Sequence, residues 1–138
     1  MINTTLGLGY LLTALVFFGL DMIWLGFLAK DLYRKHLGQL LSPQVNWIAA
    51  GIFYLLFIAG IFAFVILPAV EKGSWTRALV MGGLFGLVTY ATYDLTNLAT
   101  MANWPVRIVI IDLLWGMFLV GTVSAAGYKI LLWLGYQS

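Results

Sequence analysis

The chain has 138 residues, of which 63% are hydrophobic and 9% charged, whereas about half of an ordinary soluble domain is apolar and about a quarter is charged. A formal net charge of +2 from seven basic and five acidic residues excludes a nucleic-acid surface, and the absence of cysteine excludes disulfides, thiolate chemistry and iron–sulfur clusters. The single His36 argues against a bis-histidine haem, and no cofactor is predicted. At this length one compact domain over residues 1–138 is expected.

Four apolar runs are each long enough to cross a bilayer, which takes about 20 mostly apolar residues. They cover residues 6–29, 45–67, 78–102 and 106–134, and Trp and Tyr flank them as they do at bilayer interfaces. The runs have no broad polar face of the kind that a surface helix of a soluble protein shows. We therefore predict an all-α integral membrane protein, built as a four-transmembrane-helix antiparallel bundle.

The connection after the first run has apolar and basic residues at helical spacing. This pattern predicts a short amphipathic segment on the membrane surface, and a solvated linker is the alternative. The apolar stripe contains Leu32, Tyr33, Leu37, Leu40 and Leu41, and the opposite side contains Lys30, Arg34 and Lys35.

Two serines mark the starts of later helices. Ser42-Pro43 predicts an N-cap followed by a first-turn proline at the start of the second transmembrane helix. Ser74, after Gly73, predicts the N-cap of the third.

Basic residues in the loops predict the orientation. Four basic residues lie in the first and third loops and three on the other face, which is a weak bias. The first run, however, has no basic residue before it and three directly after it, and the first helix usually dominates. We expect both termini outside the cell membrane and the first and third loops in the cytoplasm, with insertion in both orientations as the minority alternative.

Three aspartates, Asp21, Asp94 and Asp112, interrupt separate apolar runs. Counted along the helices at 1.5 Å per residue, each lies roughly 10 Å below the same membrane surface. We name these three residues the acidic layer. A carboxylate in hydrocarbon is costly, so such residues usually face a bundle interior or a wet cavity and mark a functional site. We expect the three to titrate as a coupled set.

Aromatic and polar neighbours extend the predicted site. Trp24 and Trp115 each follow an aspartate by three residues and carry an indole N–H that can donate to a carboxylate or close a cavity wall. Arg107 is interpreted as a gate or counter-ion, or as an interfacial anchor. The predicted ligand or ion site therefore comprises Asp21, Asp94, Asp112, Asn97, Tyr90, Tyr93, Trp24, Trp115 and Arg107.

Glycines on the third helix predict close helix packing. Gly82 and Gly86 form a small-xxx-small pair, which lets another helix approach.

Several strings resemble a known family. They are Gly19-Leu-Asp-Met-Ile-Trp24, Tyr90-Ala-Thr-Tyr93-Asp94-Leu-Thr-Asn97, and Trp104-Pro followed by Asp112-Leu-Leu-Trp115-Gly. Together they are similar to a bacterial family of predicted membrane proteins known as domain of unknown function 2177. The resemblance implies a multi-pass protein of the bacterial inner membrane, so the termini are expected to be periplasmic. It implies no activity.

Three functions fit these observations. The first is a site that binds, with or without translocating it, a proton, a cation or a small polar molecule. The second is a membrane-embedded enzyme acting on a lipid or fatty-acyl substrate, with paired carboxylates as acid and base. The third is a noncatalytic subunit whose aspartates only specify helix packing.

The expected partners follow from the same patterns. They are the lipid bilayer, a small ligand, ion or lipid and, since a four-helix unit needs an oligomer to enclose a path, further copies of the chain. A hard-metal site formed by the acidic layer and Asn97 is chemically sensible, although no spaced metal motif is present and no metal is predicted.

Overall fold

The computed structural model describes residues 2–136; Met1, Gln137 and Ser138, which the predicted domain includes, lie outside the described residues. Over this range the secondary structure is helical, without strands. The α-helices are α1 (Ile2–Ile23), α2 (Lys30–Leu37), α3 (Trp47–Ile61), α4 (Leu67–Glu71), α5 (Trp75–Thr100) and α6 (Val106–Trp133). One π-helical turn, Trp24–Leu28, extends α1, and another, Phe62–Ile66, joins α3 to α4.

Four helices are long and apolar enough to cross a membrane. They are Thr4–Leu28, Trp47–Glu71, Trp75–Thr100 and Val106–Trp133. This confirms the all-α class and the four predicted spans. The ends differ from the predicted ones by at most four residues. The end of the second span and the start of the third differ most, and the other ends fall within the usual uncertainty of about one or two residues at helix termini.

The largest of these differences concern the second span. Its N-cap is Asn46, whose side chain accepts a hydrogen bond from the Ala49 N–H at 3.0 Å, so the prediction of Ser42-Pro43 as the helix start was wrong. The Ser42 hydroxyl instead donates to the Gln44 carbonyl at 2.7 Å. The span also continues through Pro68, which lies in the first turn of α4, where a missing N–H is tolerated.

The other predicted cap is present. The Ser74 side chain accepts from the Arg77 N–H at 3.1 Å and opens α5. The preceding Gly73 has a φ of +63°, a conformation that glycine adopts at little cost.

The helix α6 is the centre of the bundle, and α5 packs along it at glycine positions. A Cβ on Gly82 would lie 2.5 Å from the Ser124 hydroxyl, and one on Gly86 would overlap the backbone carbonyl of Gly116. The predicted close approach at Gly82 and Gly86 is thus confirmed. Because a carbonyl cannot move as a side chain can, this contact fixes α5 against α6 near the acidic layer.

The half of the bundle remote from α2 is closed by large apolar side chains. Seven of them are less than 2% exposed: Ile58, Ile61, Ile66, Leu119, Leu131, Val120 and Val123. Such a core is packed at nearly crystalline density, and the buried polar side chains within it, among the described residues, are Thr13 and Ser124.

The predicted amphipathic segment exists as α2, which folds back over the end of the bundle. Leu37 is buried, and Leu32 and Tyr33 pack beside it against the cluster formed with Trp104 and Ile108. The predicted stripe was too long: α2 ends at Leu37, and Leu40 and Leu41 are exposed beyond it.

The first half of α3 stands away from the other spans. Trp47, Ile48, Ile52 and Phe53 are each more than half exposed. The gap between this part of α3 and its neighbours α1 and α5 opens the interior of the bundle just below α2.

We expect Gly86→Ala to destabilise the protein by about 1–3 kcal/mol, the usual cost of inserting an extra carbon into a packed interface. Gly83→Ala on the same helix is the matched control, because its nearest neighbour would be the Met117 carbonyl at 3.8 Å, an ordinary contact. The free energies of unfolding in mixed detergent micelles measure both. Equal stability of the two variants would show that α5 and α6 are not in contact at Gly86.

Candidate functional site

A cavity of about 760 Å³ lies beneath α2, at the depth of the acidic layer. Asp21 of α1 and Asp112 of α6 line it, and Lys30 and Arg34 of α2 form its rim. Asp21 is seven residues and Asp112 six residues from the helix end on the α2 side, which places both about 9–11 Å below that end. We refer to this space as the cavity.

Asp21 is 5% exposed and accepts two hydrogen bonds from other helices. The Tyr54 hydroxyl of α3 donates to Oδ2 at 3.1 Å, and the Trp115 indole of α6 donates to Oδ1 at 3.3 Å. Asp21 therefore joins α1, α3 and α6. Side chains with an apolar ring and a polar tip are suited to this depth, because each satisfies the carboxylate without exposing more polar surface.

Asp112 is 9% exposed and accepts a hydrogen bond from the Tyr33 hydroxyl of α2. The same hydroxyl accepts from the Trp24 indole at 3.0 Å. Burial, together with the adjacent Asp112 carboxylate, raises the pKa of Tyr33 above its ordinary value. The hydroxyl therefore keeps its proton at neutral pH and remains a donor to Asp112.

The two predicted tryptophans stack on each other inside the cavity. Trp24 and Trp115 have ring centroids 4.5 Å apart and an angle of 8° between their planes. The Trp115 indole N–H donates to the Asp21 carboxylate. The Trp24 indole N–H donates to the Tyr33 hydroxyl, which itself donates to Asp112. The stack therefore connects Asp21 to the Tyr33–Asp112 pair.

Asp94 of α5 is fully buried behind the cavity and does not line it. The Asp112 carboxyl and the Trp104 indole lie next to it, yet neither Asp94 oxygen nor the Trp104 N–H makes a hydrogen bond with the described residues. Buried carboxyl oxygens need partners. One proton shared between the carboxyls of Asp94 and Asp112 would supply such a partner from within the chain.

The remaining predicted site residues divide into two groups. Tyr90 and Tyr93 line the cavity. Asn97 lies beside Tyr93, outside the cavity lining. Arg107 is exposed and does not line the cavity. Of its two predicted roles, the position fits the interfacial anchor and not the gate or counter-ion.

Four residues of the site were not predicted. Tyr33 was assigned to the apolar stripe of α2, and Lys30 and Arg34 to its solvent side, whereas all three line the cavity. Tyr54 was not singled out at all. Tyr54 is seven residues from the start of α3, which places it at the depth of the acidic layer. Comparing the depth of each tyrosine along its span with the depth of the aspartates would have identified it.

A metal site is not supported within residues 2–136, where no group of three or more His, Asp or Glu side chains could hold an ion. Asp94 is separated from the cavity, and both Asp21 oxygens and Asp112 Oδ1 accept hydrogen bonds from tyrosine and tryptophan donors. In the cavity, the carboxylates can accept hydrogen bonds from a ligand, the tyrosine hydroxyls can donate them, and Lys30 and Arg34 can pair with an anionic group.

The fold and the site define a multi-pass all-α membrane protein with intramembrane carboxylates enclosed by protein. The chain belongs to the family described as predicted membrane protein (DUF2177), which matches residues 6–129. The family is a domain of unknown function, so membership brings no activity with it. No curated protein and no solved structure matches the chain.

The contact between Tyr33 and Asp112 is tested by a double-mutant cycle. We expect Tyr33→Phe and Asp112→Asn each to cost about 1–3 kcal/mol, since each leaves a buried polar partner unsatisfied, and the two costs to be non-additive by about 0.5–3 kcal/mol. The free energy of unfolding in mixed micelles is the measurement. Ser74→Ala combined with Asp112→Asn is the control, because Ser74 lies at the opposite end of the bundle and its cost should simply add. Additive costs for Tyr33 and Asp112 would show that α2 does not dock as described.

Proposed function

We propose that the protein binds a small polar molecule, or the polar group of a larger one, in the cavity beneath α2. The observation that carries the proposal is that a single 760 Å³ cavity presents two carboxylates and two basic side chains within a membrane-spanning bundle. Carboxylates at this depth are retained at sites where they contact ligands or protons. A purely structural role would be served by carboxylates packed without a cavity beside them.

Binding is favoured over translocation by the closed half of the bundle. The cavity lies on the α2 side, and the remote half is filled by buried apolar residues such as Ile61, Leu119 and Leu131. A polar path across the membrane would have to pass these side chains. A single copy of the chain in this conformation therefore supports a binding site rather than a path across the membrane.

An enzyme is the second candidate, favoured by a specific arrangement. Asp21 faces the Tyr54 hydroxyl and Asp112 faces the Tyr33 hydroxyl inside one cavity, and positioned carboxyl and hydroxyl groups can transfer protons to and from a substrate. For an enzyme, membrane lipids of cells expressing the wild type and the Asp112→Asn variant should differ in composition. Identical lipid profiles would count against a lipid-modifying activity.

The location follows from the loop charges and the family. We place the protein in the bacterial inner membrane, with both termini in the periplasm and α2 on the cytoplasmic face. The cavity then opens toward the cytoplasmic leaflet. Lys30 and Arg34, at its rim, contribute to the positive charge that favours this orientation.

The binding proposal predicts a retained molecule. Mild purification of the wild-type protein, followed by mass spectrometry of the extracted small molecules, should reveal a species that Asp21→Asn and Asp112→Asn retain at least tenfold less, because a hydrogen bond to a charged group contributes about 1.5–3 kcal/mol. Asp31→Asn is the matched control, since Asp31 is an exposed carboxylate of α2 outside the cavity lining. Identical extracts from wild type and both cavity variants would refute the proposal.

The orientation is tested with single cysteines, because the chain has none of its own. Lys72→Cys, between α4 and α5, should react in intact cells with a membrane-impermeant maleimide. Gln39→Cys, after α2, should react only after the inner membrane is permeabilised. Both positions are exposed, so the difference reports the side of the membrane. The reverse pattern would invert the assignment, and labelling of both in intact cells would indicate dual insertion.

A further inference from the structure

An apolar groove lies next to the cavity, on the lipid-facing side of the bundle. It has a volume of about 460 Å³, lies between the span that begins with α3 and the neighbouring α5, and is lined by apolar residues and glycine, among them Phe57, Gly60, Ala63, Phe64 and Phe85. We refer to it as the groove. Its wall is an aromatic series, in which Phe57 stacks on Phe85 with centroids 6.0 Å apart and Phe64 lies 6.4 Å from Phe85.

The groove and the cavity are adjacent. Phe53 and Phe57 line both, and the Phe57 ring also contacts Tyr90 inside the cavity, with centroids 6.4 Å apart. The Phe53 and Phe57 side chains therefore form the boundary between the two spaces, and a molecule that occupies both lies along these two side chains.

The length and depth of the groove suit a hydrocarbon chain. Phe53 is six residues from the start of α3, about 9 Å along the helix, which is the depth of Asp112. From Phe53 to Phe64 the helix rises about 16 Å further into the span, comparable to half of the roughly 30 Å hydrocarbon core of a bilayer. The groove thus starts at the depth of the polar site and continues past the middle of the span, to about 25 Å below the α2 end.

We propose that the ligand is an amphiphile that enters sideways from the bilayer, with its acyl chain in the groove and its polar head in the cavity. This inference rests on the binding function proposed above and specifies the class of ligand. A water-soluble polar molecule would use the cavity alone and would leave the groove without a role.

The charges around the cavity define the head. Lys30 and Arg34 at the rim pair with an anionic group such as phosphate, and Asp21 and Asp112 deeper inside accept hydrogen bonds from an ammonium or hydroxyl group. A phospholipid head that carries both, such as phosphoethanolamine, satisfies the two sets of groups together. Diacylglycerol, which lacks the phosphate, does not.

The test compares four probes by native mass spectrometry of the intact protein in detergent. Diacyl phosphatidylethanolamine has chain and head, lysophosphatidylethanolamine has one chain and the head, glycerophosphoethanolamine has the head alone, and diacylglycerol has the chains alone. We expect the two phospholipids to bind at least tenfold more tightly than either partial probe. Head-only binding equal to that of the phospholipids would overturn the amphiphile assignment while leaving the cavity function intact.

Variants separate the groove from the cavity. Ala63→Phe fills the groove and should weaken phosphatidylethanolamine binding at least tenfold without changing the binding of glycerophosphoethanolamine. Ala49→Phe, an exposed position on α3 that lines neither space, is the matched control and should bind like the wild type. Asp21→Asn should weaken both probes.

The outcomes are distinguishable. Wild-type phosphatidylethanolamine binding by Ala63→Phe overturns the role of the groove. If Asp21→Asn binds every probe as the wild type does, the proposed function fails as well. Ala59→Phe, a second groove-lining substitution, replaces Ala63→Phe if that variant does not yield monodisperse protein.

Discussion

The hydrogen bonds that satisfy carboxylates below the membrane surface are the constraint on which the rest of the structure depends. A buried carboxylate without donors costs several kcal/mol. Asp21 and Asp112 obtain their donors from Tyr54, Trp115 and Tyr33, which belong to three different helices. Satisfying the two carboxylates therefore requires α2, α3 and α6 to meet at one depth, and the site and the arrangement of these helices form together.

The bundle is closely packed between α5 and α6 and open beside α3. At Gly86 the α5 backbone approaches α6 so closely that no side chain fits between them, and Asp94 and Asp112 lie side by side as a result. The first half of α3 makes no such contact and leaves the cavity beside it. Asp94 and Asp112 thus lie next to each other along the packed α5–α6 pair. Asp112, together with Asp21, also lines the cavity beside α3.

The features that could be predicted from the sequence are those that depend on a single helix. The spans and the common depth of the acidic layer follow from run lengths and the 1.5 Å rise, and the close approach of another helix at Gly82 and Gly86 follows from their small-xxx-small spacing. Arg107 shows the limit of depth alone: it lies five residues before Asp112, which rotates it by about 140° around α6, away from the aspartate. Tyr33 could not be placed from its helix, because its contact with Asp112 exists only once the turn at Ala29 folds α2 back over the bundle. The one-domain organisation of residues 1–138 stays a prediction.

The juxtaposition of the cavity and the groove distinguishes an amphiphile site from a polar pore. A pore requires polar groups on both sides of the membrane centre, whereas here the acidic layer, Lys30 and Arg34 lie toward α2. Beyond the centre, the buried polar side chains among the described residues are the hydroxyls of Thr13 and Ser124. Beyond the acidic layer the interior becomes apolar in two ways: as a packed core around Leu119, and as the groove along Phe57 and Phe64, which opens sideways to lipid. The change from the polar cavity to the apolar groove matches the change from polar head to acyl chain in a lipid. A ligand with that same order of polarity uses all of these features at once, and this is the physical reason for preferring it.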